Sequence, residues 1–304
     1  MAGSLEITAL EGRSSVDFLE AAFAAYEDGR AFAIVRPGLD LSTYPGLNVA
    51  ETVAVGARLG WARLRHQPRA DDAIAQIVFT SGTEGAPKAI ALSHRNLADV
   101  VTRLNEAMGL DASVREYVGV PVTYSFGLGR ARAVAAVGGE VFLPERFDPG
   151  EIRAMLEAGE INAISAVPSL WRLVLAAPEA IGEAGAAVRW IEIGSQYMSR
   201  AEKEAMKRLF PNAKIVQHYG LTEASRTTFL DISATEGDAL ESVGSATGGA
   251  SVDLGEDDAI RIRGEHVAIG MLEASGAITP LTDAEGRLQT KDRGALRDGR
   301  LWYL

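Results

Sequence analysis

Apolar and polar positions along this chain alternate in two rhythms, and the switches between them predict an ordered series of helices and strands. Residues 15–26 (SVDFLEAAFAAY) put Phe18, Ala22 and Tyr26 at helical spacing beside Leu19 and Phe23, which predicts an amphipathic helix. The run AFAIV after Gly29 predicts a strand, and VAETVAVGARLGWARL reads as a helix broken by glycine. From residue 75 the pattern sharpens. AQIVF reads as a strand, a turn rich in glycine and hydroxyl groups follows, and KAIALS reads as a second strand. Residues 94–110 then place Leu97, Val101, Leu104 and Met108 on one helical face, with Ser93 as cap.

Further on, YVGVPV, GGEVFLP, INAISAVP, VRWIEIGS and AKIVQHYG read as strands, while EIRAMLEAGE, LWRLVLAA and SRAEKEAMKRLF read as helices. The segment 125–137 carries no assignment. This alternation predicts a layered α/β body over residues 1–236. From 237 to 304 the texture changes to short β-like pieces (SVGSATGGASVDL, AIRIRG, HVAIGML, RLWYL), predicting a smaller β-rich lobe.

Composition narrows the function classes. Apolar residues make up 47% of 304 positions, enough for a sizeable core. A formal charge of −11 argues against broad nucleic-acid binding, which needs a basic footprint. The absence of cysteine removes disulfides, thiolate nucleophiles and zinc–thiolate sites together. No apolar run reaches membrane-spanning length and no secretory pattern opens the chain, so a cytoplasmic protein without a transmembrane segment is expected.

Three polar turns hold the candidate chemistry. In TSGTEGAPK, Gly82 and Gly85 free the backbone to expose N–H groups, Thr80, Ser81 and Thr83 add hydroxyl donors, and Lys88 adds a positive charge. That set suits phosphate, although the lysine is not followed by Ser or Thr as a Walker loop requires. An ordinary Gly-Pro loop with a solvated lysine explains the same residues. In QHYGLTEAS, Tyr219 offers a ring for stacking, Thr222 a donor for an oxyanion and Glu223 a ligand for a hard cation. Each also fits a plain turn. In LQTKDRGALRDGRLWYL, Asp292 suits paired hydroxyls and Asp298-Gly299 a hairpin turn. The four histidines, His66, His94, His218 and His266, match no zinc spacing. His94 and His218 suit capping, packing or pocket-lining, and the other two suit surface or packing.

In order and spacing, FTSGTEGAPK, PVTYSFGLG, IEIGSQYMS, QHYGLTE, VAIGML and QTKDRGALRDGRL resemble the adenylate-forming superfamily of acyl- and aryl-CoA synthetases, luciferases and peptide-synthetase adenylation domains. The resemblance covers residues 75–304. It implies ATP-dependent activation of a carboxylic acid as an acyl-adenylate, with Mg²⁺ as metal and then transfer to CoA. Loading of a carrier-protein thiol, or a non-catalytic nucleotide-binding relative, is the alternative. By the same resemblance Thr80, Ser81, Gly82, Thr83 and Lys88 hold the β- and γ-phosphates. Gly194, Ser195 and Gln196 flank the purine and Tyr219 stacks on it. Thr222 contacts the α-phosphate, Glu223 binds the metal, and Asp292 holds the ribose hydroxyls.

The sequence departs from the pattern at Glu84 (commonly Thr or Ser), Ala89 and Lys291 (commonly Gly) and Tyr124 (commonly His). Tyr124 falls between the implied acid pocket and thiol tunnel. Trp171, Tyr197 and Phe229 are candidates for an aryl pocket or for the core. Relatives of this pattern continue past a hinge into a mobile domain with the adenylating lysine. The β-rich lobe here is expected to end before that hinge, leaving this stretch weakly active by itself.

Overall fold

The structure, a computed structural model, describes residues 5–36, 38–80 and 87–304. Two large sheets and one small sheet carry the fold. The first sheet has the order Ile278–Thr279, Gly270–Leu272, Lys88–Ser93, Ile74–Thr80, Phe32–Val35, Leu5–Glu11, Leu47–Ala54. Its last four strands run parallel to one another, while Lys88–Ser93 is antiparallel to both its neighbours. The second sheet has eight strands. Five of them, Lys214–Tyr219, Trp190–Ile193, Ala163–Ala166, Arg115–Val118 and Glu140–Leu143, are parallel and central. The third sheet is antiparallel, with the order Ser251–Leu254, Ala259–Arg263, Leu288–Arg297, Arg300–Tyr303. Its final hairpin turns at Asp298 (φ 49°) and Gly299 (φ 73°), the two left-handed positions of a type I′ turn.

Three helices, Val16–Glu27, His94–Met108 and Ser125–Ala136, fill the space between the large sheets. Phe18, Leu104 and Leu128 there meet Phe32 from one sheet and Val118 and Val216 from the other. Ser15 caps the first helix by accepting from the Phe18 N–H. Ser93 and Asn96 form a reciprocal capping box on the second, which ends at left-handed Gly109. The outer face of the eight-stranded sheet is covered by Pro149–Glu157, Pro168–Ala176 and Arg200–Leu209, around Ile164, Trp171 and Ile191.

The expected layered α/β body with a smaller β-rich lobe is therefore the observed architecture. Segment 237–304 supplies the whole small sheet and also returns strands to both large ones. Two readings need correction. The predicted helix in 49–64 is instead the strands Leu47–Ala54 and Gly60–Ala62. Leu47–Ala54 lies at a sheet edge, where most of its side chains face solvent, so no period-2 burial pattern marks it. The unassigned 125–137 segment holds the helix Ser125–Ala136, and its Arg130 and Arg132 are buried.

Candidate active site

In open sheets with parallel strands, ligands collect at the carboxyl ends of the strands. Here Trp190–Ile193 and Lys214–Tyr219 are neighbours in register Ile193↔Gln217, so the turns after Ile193 and Tyr219 leave the sheet side by side. Between them and the small sheet lies a cavity of about 260 Å³, lined by Ser195, Gln196, Tyr197, Tyr219 and Asp292 among others. The Tyr219 hydroxyl donates to Asp292 Oδ2 at 2.8 Å, and Tyr303 approaches Oδ1 at 3.4 Å. Burial, reinforced by the Asp292 hydrogen bond and charge, raises the Tyr219 phenol well above its ordinary range, so it stays a donor. Ser195 holds φ 73°, a strained backbone for a non-glycine residue that places the turn sharply after the strand.

Gly194 has a steric reason to be glycine. A Cβ there would sit 2.1 Å from the His218 ring, and that ring packs edge-on against Phe126 with centroids 5.0 Å apart. Beneath it is a fully buried ionic network. Glu192 Oε1 lies 2.7 Å from Arg226 Nε and 2.8 Å from His218 Nδ1. Arg130 forks onto both oxygens of Glu116 and stands 3.8 Å from Glu192. Arg226 also donates to the Phe126 carbonyl at 3.1 Å, and Gly129 leaves room for its guanidinium. The network thus ties the ends of the Trp190–Ile193 and Lys214–Tyr219 strands to the helix that follows Tyr124.

Thr222 and Glu223 sit in the turn after Tyr219. Thr222 lines a second, smaller cavity of about 30 Å³ together with Ser125 and Arg132. The Glu223 carbonyl accepts from Ala268 N–H at 2.8 Å, and Ile269 N–H donates to Ala91. This turn is thereby tied to the strand that begins at Lys88. Thr80 and Lys88 pair at the loop end of their hairpin, with Lys88 exposed. Ser81, Gly82, Thr83 and Glu84 lie outside the described residues.

The acid-pocket candidates separate. Tyr124 is 48% exposed under the Arg36 guanidinium, 4.2 Å from its ring centre. Tyr197 lines the larger cavity beside Ser195, and its hydroxyl donates to Glu241 at 2.8 Å. Trp171 is a core residue. It is fully buried against Phe147 and Phe210, and its indole N–H is spent on the Ala166 carbonyl at 3.2 Å. Sequence reasoning missed Glu116, Arg130, Glu192, Arg226 and Lys203. Lys203 is buried at the larger cavity, where its ammonium donates to the carbonyls of Leu240 and Ser242. The available signal was a charge inside an apolar strand, as in WIEI and REYV.

This arrangement is that of a nucleotide-binding α/β protein. Residues 17–278 match the family model for AMP-binding enzyme, and the chain belongs to that family. It is 30% identical over 236 residues to a 2-succinylbenzoate–CoA ligase of Listeria monocytogenes, covering 76% of this chain and 48% of that protein. It is 25% identical over 228 residues to a propanoyl:CoA ligase of Rhodococcus jostii whose acid carries a methyl-dioxo-octahydroindenyl group, covering 75% and 44%. The chain thus spans under half the length of these curated relatives. Among solved structures, apo MatB from Rhodopseudomonas palustris superposes with a TM-score of 0.81 at 20% identity, over 99% of this chain and 68% of that one. The N-terminal domain of FACL13 from Mycobacterium tuberculosis gives 0.80 at 19%, over 100% and 87%. These two likenesses establish the shared fold. Among the described residues, no helix is long and apolar enough to cross a membrane.

Proposed function

We propose that the chain binds ATP and a carboxylic acid and that the protein to which it belongs joins them as an acyl-adenylate. A carboxylate oxygen attacks the α-phosphorus, the bond to the bridging oxygen of the β-phosphate breaks, and pyrophosphate leaves. The observation that carries this reading is the convergence of Ser195, Gln196, Tyr219 and Asp292 on one cavity at the strand ends, with Thr222 in the adjoining turn. Tyr219 and Asp292 orient the base and ribose, while Thr222 donates to the α-phosphate. Lys88 and the hydroxyls of Thr80, Ser81 and Thr83, with Gly82, hold the leaving pyrophosphate. The chain's contribution is alignment and charge neutralisation.

Among the described residues no three acidic or histidine side chains gather into a metal cage. A single carboxylate at Glu223 matches how Mg²⁺ is usually held, by one or two carboxylates plus substrate phosphates and water. The metal would supply charge neutralisation of the phosphates. The curated relatives' names favour CoA as the thiol that displaces AMP, and a cytoplasmic setting is part of the same proposal. Calorimetric titration with AMP and ATP tests the nucleotide site. D292A should weaken AMP about 10-fold, as expected for loss of a hydrogen bond from a charged group, and should leave free adenine unaffected. Absence of nucleotide binding in the unaltered chain would overturn the proposal. Pyrophosphate release across an acid panel, with CoA and carrier-protein acceptors compared, tests the chemistry.

A further inference from the structure

At the amino ends of its central strands, away from the cavity at Tyr219, the eight-stranded sheet carries a row of charged side chains. Ala62 pairs with Val141 and Arg115 with Glu140, so Arg63, Glu140 and Arg115 follow one another on adjacent strands. Glu116 and Trp190 both pair with Ala163, which sets Arg115 and Arg189 on either side of Asn162. Side chains alternate between faces along a strand. The row therefore shares the outer face of the sheet with Phe142, Tyr117, Ile164 and Ile191, each two residues further on. Three guanidiniums and one carboxylate thus stand in line on a chain whose net charge is −11.

The backbone beneath this row is tied together by Asn162. Its Oδ1 accepts from the Arg115 N–H at 2.8 Å and its Nδ2 donates to the Ser113 carbonyl at 2.9 Å. Its own carbonyl accepts from the Arg189 N–H at 2.8 Å. The Arg189 side chain is fixed as well. It donates to Ser113 Oγ at 2.7 Å and to Asp111 at 3.2 Å, with its guanidinium 4.1 Å from the centre of the Trp190 ring. Glu140 is engaged by Arg63 at 3.4 Å. Arg115 differs: among the described residues its guanidinium has no hydrogen bond and no carboxylate partner. Arg63, Ser113, Arg115, Glu140, Asn162 and Arg189 all line one open hollow of about 430 Å³.

We propose that this hollow binds a small phosphate-bearing anion, gripped between the guanidiniums of Arg115 and Arg189. Their Cα atoms are two strand spacings apart, about 9.5 Å, so the two long side chains can close on one ion from either side. A single guanidinium fork satisfies both oxygens of a carboxylate, whereas a tetrahedral phosphate has oxygens left for a second fork. Arg63 offsets Glu140, the one carboxylate in the row, and Asp111 lies outside the lining of the hollow. Arg189 and Gly194 flank the strand Trp190–Ile193, about 16 Å apart at the usual rise of a parallel strand. The hollow is therefore separate from the cavity at Tyr219, and its ligand does not depend on the adenylation reading.

Calorimetric titration of the 304-residue chain with orthophosphate and glycerol 3-phosphate at low salt tests this, with acetate as control. At least one phosphate should bind, and acetate should bind about 10-fold or more weakly. R115M should weaken that phosphate about 10-fold or more, as expected for loss of a charge-assisted contact. R115K keeps the charge without the fork and should weaken it less. Arg115 is exposed, so R115M should keep the parent's urea midpoint. K88A should retain the binding, because Lys88 belongs to the other large sheet. Tighter binding of glycerol 3-phosphate assigns an organic phosphate, and tighter binding of orthophosphate assigns the inorganic ion. The proposal is overturned if neither phosphate binds, if acetate binds as tightly, if binding survives both R115M and R189M, or if K88A abolishes it while R115M does not.

Discussion

Replacing Glu192 by alanine tests the buried network beneath the turns that follow Ile193 and Tyr219. Glu192 accepts from Arg226 Nε at 2.7 Å and Nη2 at 3.3 Å, and His218 Nδ1 stands 2.8 Å away. Arg130 keeps Glu116 when Glu192 is gone, but Arg226 is left with the Phe126 carbonyl and the Ser225 hydroxyl. Hydrogen bonds to charged groups contribute about 1.5–3 kcal/mol each. They are not additive, and stranding one member of a buried ion pair costs about 3–5 kcal/mol. E192A should therefore lose about 4 kcal/mol, a large share of the 5–15 kcal/mol typical of a domain. E192Q, which keeps an acceptor, should lose less.

Urea unfolding followed by tryptophan fluorescence measures this, with Trp190 two residues away in the same strand. Burial alone would raise the Glu192 carboxyl, but Arg226, His218 and Arg130 together outweigh it and hold the group well below its ordinary range. Its stabilisation is therefore complete above the unfolded carboxylate pKa, about 4.3, and fades as pH falls below it. The gap between E192A and the parent should narrow at acidic pH. A loss under about 1 kcal/mol at pH 7.5, the range of an exposed ion pair, would refute the reasoning. So would full additivity of E192A with R226M in a double-mutant cycle.

The remaining predictions concern the site and its surroundings. G194A drives a methyl into the His218 ring and should cost about 1–3 kcal/mol by overpacking. It should also weaken AMP, and parent-like AMP affinity by calorimetry would remove Gly194 from the site. K88A should weaken ATP by about 1.5–3 kcal/mol through loss of a charge-assisted phosphate contact while barely changing AMP. Equal, small losses would favour a solvated surface lysine. Burial first, then the Arg132 and His94 charges, lowers His66 to about 3. The unfolded chain thus binds the extra proton below about 6.5, and stability drains as pH falls from there. Between pH 7.5 and 5.5 this histidine accounts for about 1.4 kcal/mol of lost stability, which H66F should abolish in urea titrations. An unchanged pH dependence would contradict it.

What could be read in advance depended on whether a signal was local. Strands such as AQIVF and AKIVQHYG announced themselves because both faces are buried, and the turns after Ile193 and Tyr219 meet at one cavity. The edge strand Leu47–Ala54 did not, since its partner Leu5–Glu11 lies some forty residues earlier and its own side chains face water. The ionic network was hidden for a similar reason. Glu192 and Arg226 are 34 positions apart and Glu116 and Arg130 are 14 apart, so no local pattern pairs them and only the fold brings them together. Trp171 stayed open between pocket and core, because an aromatic near the start of a helix suits both equally and only packing decides.

The strand order of the seven-stranded sheet has a consequence for synthesis. Lys88–Ser93 receives its second neighbour from Gly270–Leu272, roughly 180 residues later. At about 5–20 residues per second, the ribosome needs roughly 10–40 s to deliver that partner. Throughout this interval the growing chain presents Ala89, Ile90 and Ala91 on an unpaired sheet edge, the kind of surface that recruits strands from other chains. Recovery of folded protein should therefore depend on how quickly translation runs past residue 272, and a pause before that point should lower yield without altering any contact in the finished molecule.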